Sequence, residues 1–246
     1  MTYRLIRVES CPSTNDLARD LARDGAPEGT IIVSAEQTAG RGTKGRSWFS
    51  ARDKGLYLTV ILRPPAANLT RLPLTAGLAA RDAVERSHGL SPKLFWPNDL
   101  VWNGKKLAGV LCENAFRGEA LDYTLVGVGI NVNNEEADFP DEIRGLAISL
   151  RMVIGKAADA EALLRSFRSA FEEWYGAFID DRGDQIVPAF ERQSAFSHGD
   201  WILAETGQGR MRGKYMGIGP GGELILACPD GIRHLTAAEV LRVLNP

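Results

Sequence analysis

The sequence predicts an α+β fold, with helices packed on a mainly antiparallel sheet and a small β-barrel at the C-terminal end. Three observations carry this reading. Asn103-Gly104 sits between two apolar runs, a hairpin signal because both turn residues take positive φ. Residues 161–178 place Leu163, Leu164, Phe167, Phe171, Trp174, Tyr175 and Phe178 on one helical stripe. From about residue 198, short apolar segments alternate with glycine-rich turns, as in a barrel of short strands. The predicted boundary falls near residues 196–199, giving units of 1–197 and 198–246.

The elements follow in order. Residues 3–8 alternate weakly and read as a strand. Ser13-Thr14-Asn15-Asp16 is an N-cap cluster opening a helix with Leu17, Ala18, Leu21 and Ala22 on one face and Gly25 as its stop. Residues 30–35 read as a buried strand leading to Glu36-Gln37 and a glycine loop. Residues 56–62 form an apolar strand stopped by Pro64-Pro65. A helix over 72–86 has Pro73 near its start. Residues 93–96 are a short strand broken by Pro97. Residues 100–102 and 106–113 are the hairpin, 123–132 another strand, and 134–144 an acidic loop. The stripe over 161–178 is read as core.

Charge and composition exclude several functions. The 246 residues hold 29 basic and 31 acidic side chains, a net charge of −2. That balance disfavours broad nucleic-acid binding. No apolar run approaches the ~20 residues of a membrane span, and the N-terminus lacks the apolar stretch of a signal peptide. Cys11, Cys112 and Cys228 are scattered, which predicts free thiols and a cytoplasmic protein. His88, His198 and His234 are isolated, so zinc-ligand spacing is missing.

Four constellations carry the chemistry. In Gly40-Arg41-Gly42-Thr43-Lys44-Gly45-Arg46, glycines permit close backbone approach and three cations demand an anion. Gly40-x-Gly42-x-x-Gly45 matches the dinucleotide fingerprint letter for letter, but Ser47-Trp48-Phe49 carries no helical period, so a Rossmann site is not expected. In Trp96-Pro97-Asn98-Asp99, Asp99 is a candidate Mg²⁺ ligand, although Asn98-Asp99 reads more readily as a turn. Lys106 either holds a carboxylate or phosphate, or guards an edge strand. Gly127-Val128-Gly129-Ile130-Asn131 puts two glycines into a strand at a cost of roughly 0.5–1 kcal/mol each, a mark of close approach by a ligand or backbone. Together these residues imply an enzyme that binds a phosphate-bearing, adenylate-like ligand against a sheet. No Ser-His or Cys-His pair points to a hydrolytic nucleophile.

Taken in this order, the motifs resemble those of biotin–protein ligases. The resemblance rests on Ser13-Thr14-Asn15, Gln37, Gly40-Arg41-Gly42, Trp96 to Asp99, Lys106-Leu107-Ala108-Gly109 and Gly127 to Asn131, and it extends to the C-terminal barrel. It implies a class II synthetase-like catalytic domain with an SH3-like barrel. It also implies ATP and biotin as substrates, Mg²⁺, and a biotin carboxyl carrier domain as acceptor. The implied catalytic residues are Lys106, Arg41 and Asp99. Ser13, Thr14, Asn15, Gln37, Gly40, Arg41, Gly42, Trp48, Tyr57, Lys106, Gly109, Gly127 and Gly129 would surround biotin. Arg41, Thr43, Lys44, Arg46, Trp48, Asn98, Lys106 and Asn131 would meet the adenylate, and Asp99 the metal. Two positions depart from the family pattern: Thr43 stands where an arginine is usual and Phe95 where a lysine is. The expectation is that Lys44 substitutes for that arginine, or that the adenylate is held less tightly. The chain opens at the catalytic strand, so the monofunctional type is expected, without a DNA-binding helix-turn-helix and without DNA as a partner. An exposed sheet edge could pair two copies. A lipoate–protein ligase and a non-catalytic biotin-binding module are the alternatives.

Overall fold

In a computed structural model of the chain, residues 3–180, 183–236 and 238–244 are described. The main sheet contains β1 (Arg4–Val8), β2 (Thr30–Ser34), β3 (Gly55–Leu62), β4 (Lys93–Phe95), β5 (Asp99–Trp102), β6 (Lys105–Arg117) and β7 (Ala120–Asn131). Their spatial order is β1-β2-β3-β7-β6-β5-β4. Only β1 and β2 run parallel, because α1 (Thr14–Arg23) crosses over between them; every other pairing is antiparallel. The β5–β6 turn has Asn103 at φ 48° and Gly104 at φ 75°, as the Asn-Gly pair predicts.

The sheet is covered on both faces. Strand side chains alternate, so Ile32 of β2 and Ile61 of β3 join Ala18 and Ala22 of α1 in one cluster. Ile31, Val60 and Leu62 point to the other face, toward α2 (Leu72–His88) and α5 (Ala160–Ile179). The aromatic stripe of α5 is core: Phe167 and Phe171 stack at 5.4 Å, and Phe171 and Tyr175 at 5.7 Å. Trp174, at its margin, donates to Asp82 (2.8 Å).

Three further helices go beyond the sequence reading. The acidic stretch contains α3 (Asp141–Arg144), and α4 (Leu150–Ile154) is capped by Ser149, whose Oγ accepts from Met152 N (3.1 Å). A third, α6 (Gly183–Gln193), runs through Pro188, a helix-interior proline that hides it from propensity.

The C-terminal strands β8 (Trp201–Thr206), β9 (Gly209–Ile218), β10 (Leu224–Cys228), β11 (Gly231–Leu235) and β12 (Glu239–Leu244) form an antiparallel sheet in the order β11-β10-β9-β8-β12. Among the described residues β11 and β12 do not pair, so the expected barrel is an open, five-stranded sheet. Register shifts at Ile225/Leu226 and Val240/Arg242 bend it without closing it. It is anchored to the main body by Phe196, edge-on to Phe95 (4.8 Å) and Tyr215 (5.5 Å), and by a hydrogen bond from Trp96 Nε1 to Gly222 O (2.9 Å). Phe95 thereby fills with an aromatic contact the place where a lysine is usual. Among the described residues, no helix is long and apolar enough to cross a membrane.

Candidate active site

A cavity of about 280 Å³ lies where α1, the loop after β2, and strands β5 to β7 converge. Its floor is glycine. Gly109 of β6 pairs across the sheet with Gly129 of β7, and Gly127 pairs with Leu111. A Cβ on Gly127 would strike the Asn15 amide, and one on Gly129 would strike the Trp48 indole. One on Gly109 would lie 3.1 Å from Trp48 and 3.3 Å from Lys106 Cε. The close approach predicted for these glycines is thus made by two of the chain's own side chains. Trp48 Nε1 is buried with no partner among the described residues, leaving a donor in the cavity wall.

One end of the cavity is neutral and hydrogen-bonded. Gln37 Oε1 accepts from Thr14 N (2.8 Å) and Thr14 Oγ1 (3.1 Å), while Gln37 Nε2 donates to Ser50 Oγ (2.8 Å). Thr59 Oγ1 donates to Asn15 Oδ1 (2.5 Å), and Asn15 Nδ2 donates to Glu113 Oε2 (2.6 Å). Ser13, Thr14 and Asn15 are all buried at the start of α1.

The other end is charged. Lys106 Nζ lies 2.7 Å from Asp99 Oδ2 and 5.5 Å from the centre of the Trp48 ring. Arg46 lines the cavity and donates to Thr43 Oγ1 (3.1 Å). Arg41 donates to Asp16 Oδ2 (2.6 Å), and that bond outweighs burial, which pushes the other way, and holds the Asp16 carboxyl below the usual carboxylate range. Asp99 is the one carboxylate among the cavity-lining residues. No group of three or more His, Cys, Asp or Glu gathers as a metal site among the described residues. Asp99, standing alone as a carboxylate in the lining, is already paired with Lys106.

Most residues singled out from sequence line this one cavity; Gly40, Lys44 and Tyr57 do not. On β3, Tyr57 pairs with Gly129 and shares the floor's face with Thr59, but its ring lies back over Gly55 and its hydroxyl donates to Ala51 O (3.0 Å), while Leu58 pairs with Val128 and packs in the core with Val60 and Leu62. Gly40 is a packing point against Trp48 O and Ser50 Oγ. Lys44 is exposed at the loop tip with φ 56°, so Arg46 rather than Lys44 is the cation on the cavity side of Thr43. Asn98 and Asn131 are in the lining, but Asn98 Nδ2 donates to Val110 O (2.6 Å) and Asn131 Nδ2 to Ile148 O (3.1 Å). Both amides brace the backbone.

The sequence reading misses one wall. Phe139 and Ile143, from the stretch read as an acidic loop, and Leu146 and Ala147 just beyond it line the cavity. Lys106 N donates to Leu146 O (2.7 Å) and Ile148 N to Lys106 O (3.0 Å), which straps this wall to β6. Phe49, at the end of the glycine loop, reaches Phe139 at 6.2 Å. The available signal was the set of apolar residues interrupting a run of acids.

A mixed sheet with a glycine floor, a hydrogen-bonding end and a cationic end defines an enzyme cleft for a ligand that is neutral at one end and anionic at the other. Residues 7–131 match the model of the biotin/lipoate A/B protein ligase family. The chain is 34% identical to the bifunctional ligase/repressor BirA of Bacillus spizizenii over 98% of its own length and 74% of that protein. It is 33% identical to the biotin--[acetyl-CoA-carboxylase] ligase of Paracoccus denitrificans, over 93% of this chain and 96% of that one. Among solved structures, biotin protein ligase from Aquifex aeolicus in complex with biotin and ATP superposes with a TM-score of 0.85 at 30% identity, covering 97% of this chain and 99% of the other. The chain belongs to the biotin/lipoate A/B protein ligase family.

Proposed function

We propose that this chain is an ATP-dependent biotin–protein ligase. It joins the biotin carboxylate to AMP and then transfers the biotinyl group to a lysine of a biotin carboxyl carrier domain. The observation that carries the reading is the Lys106–Asp99 pair, set at 2.7 Å over a glycine floor between a hydrogen-bonding end and a cationic end. In the first step a carboxylate oxygen attacks the α-phosphorus, and the bond to pyrophosphate breaks. Two anions must meet, so the ammonium of Lys106 and the guanidinium of Arg46 offset their repulsion. In the second step the acceptor amine attacks the acyl carbon, AMP leaves, and Asp99 is placed to take the amine proton. Mg²⁺ arriving with the nucleotide would draw charge from the phosphates, with Asp99 as the carboxylate it can reach.

Ser13, Thr14, Asn15 and Gln37 supply the donors and acceptors for the ureido ring, and Trp48 the flat face against the rest of biotin. Phe139, Ile143 and Leu146 offer the apolar surface that an adenine ring needs. We assign catalysis to residues 1–197 and a supporting role to 198–246, because the described cavity lining stops at Ala147. Three free thiols suit the reducing cytoplasm. Exchange of pyrophosphate into ATP tests the reading, run with biotin, with lipoate and with neither. Exchange with biotin alone is expected. Exchange with lipoate alone would move the chain to the lipoate branch of the family, and no exchange would make it a binding module.

A further inference from the structure

Arg41 lies in the glycine loop, yet its guanidinium is turned back onto the carboxylates of α1 and β6. Nη1 lies 2.6 Å from Asp16 Oδ2, and Nη2 lies 3.6 Å from Glu113 Oε2. Arg19 repeats the pattern, with Nη1 2.6 Å from Asp16 Oδ1 and Nη2 3.1 Å from Glu113 Oε2. Each guanidinium therefore meets both carboxylates. Two positive and two negative charges close a ring that joins three separate stretches: α1, the loop and β6.

We propose that Asp16 and Glu113 are positioning residues that anchor the glycine loop through Arg41 and thereby set how long the cavity retains its adenylate. A loop with three glycines has much conformational freedom to lose. Within it, Gly42 N donates to Arg46 O (2.7 Å), but that bond only shapes the loop and ties it to nothing outside. The Arg41 side chain makes the tie to α1 and β6. Glu113 also accepts from Asn15, whose amide lies over Gly127 on the cavity floor. The anchor and the floor thus share one carboxylate, so a ligand that settles Asn15 also settles Glu113. Arg41 then serves as the tether, and the cations left for the reacting anions are Lys106 and Arg46.

The ring is about one-third exposed, with side-chain exposures of 35% for Arg41, 34% for Asp16 and 31% for Glu113. Bulk salt can therefore reach it and weaken it. This gives a readout that a purely structural role would not move.

The inference rests on the ligase reading for one of its two measurements and stands apart from it for the other. The first measurement is hydrogen exchange of residues 40–46 in the ligand-free chain. Asp16→Asn and Glu113→Gln are expected to speed exchange there and leave α5 unchanged. The second is release of preformed biotinyl-5′-AMP. Asp16→Asn is expected to release it about tenfold faster, a change of about 1.4 kcal/mol. Release from the unaltered protein should accelerate with salt, and the variant should lose most of that dependence. Asp16→Glu should restore slow release. Arg86→Ala, which breaks the distant Arg86–Glu173 pair between α2 and α5, is the control and should change neither measurement. Where Asp16→Asn disturbs α1, Glu113→Gln on β6 supplies the same comparison. Unchanged exchange and unchanged release in both variants would overturn the anchor. Faster exchange in a protein that binds no adenylate would leave the anchor standing and sink the ligase reading alone.

Discussion

The two walls of the cavity are held in opposite ways. Residues 40–48 are tied down by side chains, chiefly Arg41 on Asp16 and Glu113. Residues 139–147 are tied down by main chain, through Lys106 N to Leu146 O and Ile148 N to Lys106 O. The first wall is cationic and glycine-rich; the second is apolar and follows a run of acids. Ion pairs with one-third exposure yield to salt and to charge substitutions. Backbone bonds beside a sheet yield to neither. The difference shows how one cleft can combine a releasable side with a fixed one.

The largest expected effect is at Lys106, where the walls meet: its backbone straps one wall, and its ammonium, paired with Asp99, is the cation we propose acts in the chemistry. Lys106→Ala should keep the strap and lower biotin-dependent pyrophosphate exchange by about 10²–10³-fold, the usual cost of losing one preorganised charge. A loss below tenfold would place the chemistry elsewhere. Next is the floor. Gly127→Ala puts a methyl into the Asn15 amide, and overpacking of about 1–3 kcal/mol should raise the KM for biotin ten- to a hundredfold while the KM for ATP stays near its starting value. Equal shifts in both would show that the floor does not distinguish the two ends. On the backbone-held wall, Ile143→Ala removes three side-chain carbons from a partly buried position. It should raise the KM for ATP about three- to tenfold and leave that for biotin unchanged; the reverse pattern would exchange the assignments of the two ends.

The smallest effect concerns acid. Asp16 is held below its ordinary 3.8 first by the Arg41 hydrogen bond, with Arg19 adding to it and burial opposing. A depressed carboxyl stabilises the fold fully above its unfolded pKa, and that contribution is lost as pH falls through the folded value. Thermal unfolding of the protein and of Asp16→Asn should therefore differ at neutral pH and converge below about pH 4. Curves that stay parallel into acid would separate Asp16 from the ring.

What was legible in the sequence follows the same division. The glycine loop, the Lys106 strand and the paired glycines of β7 announce themselves, because each uses a residue type that an ordinary strand or loop would avoid. The wall at 139–147 uses ordinary residues held by main-chain bonds, and such bonds leave no trace in residue identity. Tyr57 is a similar case: the register puts it opposite Gly129 on the floor's face, and only the folded chain shows its ring turned back over Gly55 instead of into the cavity. α6 was hidden by Pro188, and the open edge of the C-terminal sheet by a pairing that short, evenly spaced strands do not specify. Asn98 and Asn131 lie where the motifs put them, but their amides are committed to backbone carbonyls, a commitment visible only after folding.

Trp96 lies three residues before Asp99, and its indole is bonded to Gly222, far along the chain. Gly222 takes φ +87°, and a Cβ there would press on Leu74 and on the Thr70 carbonyl. A genetic screen for loss of biotinylation should therefore recover substitutions at Gly222 as readily as in the cleft.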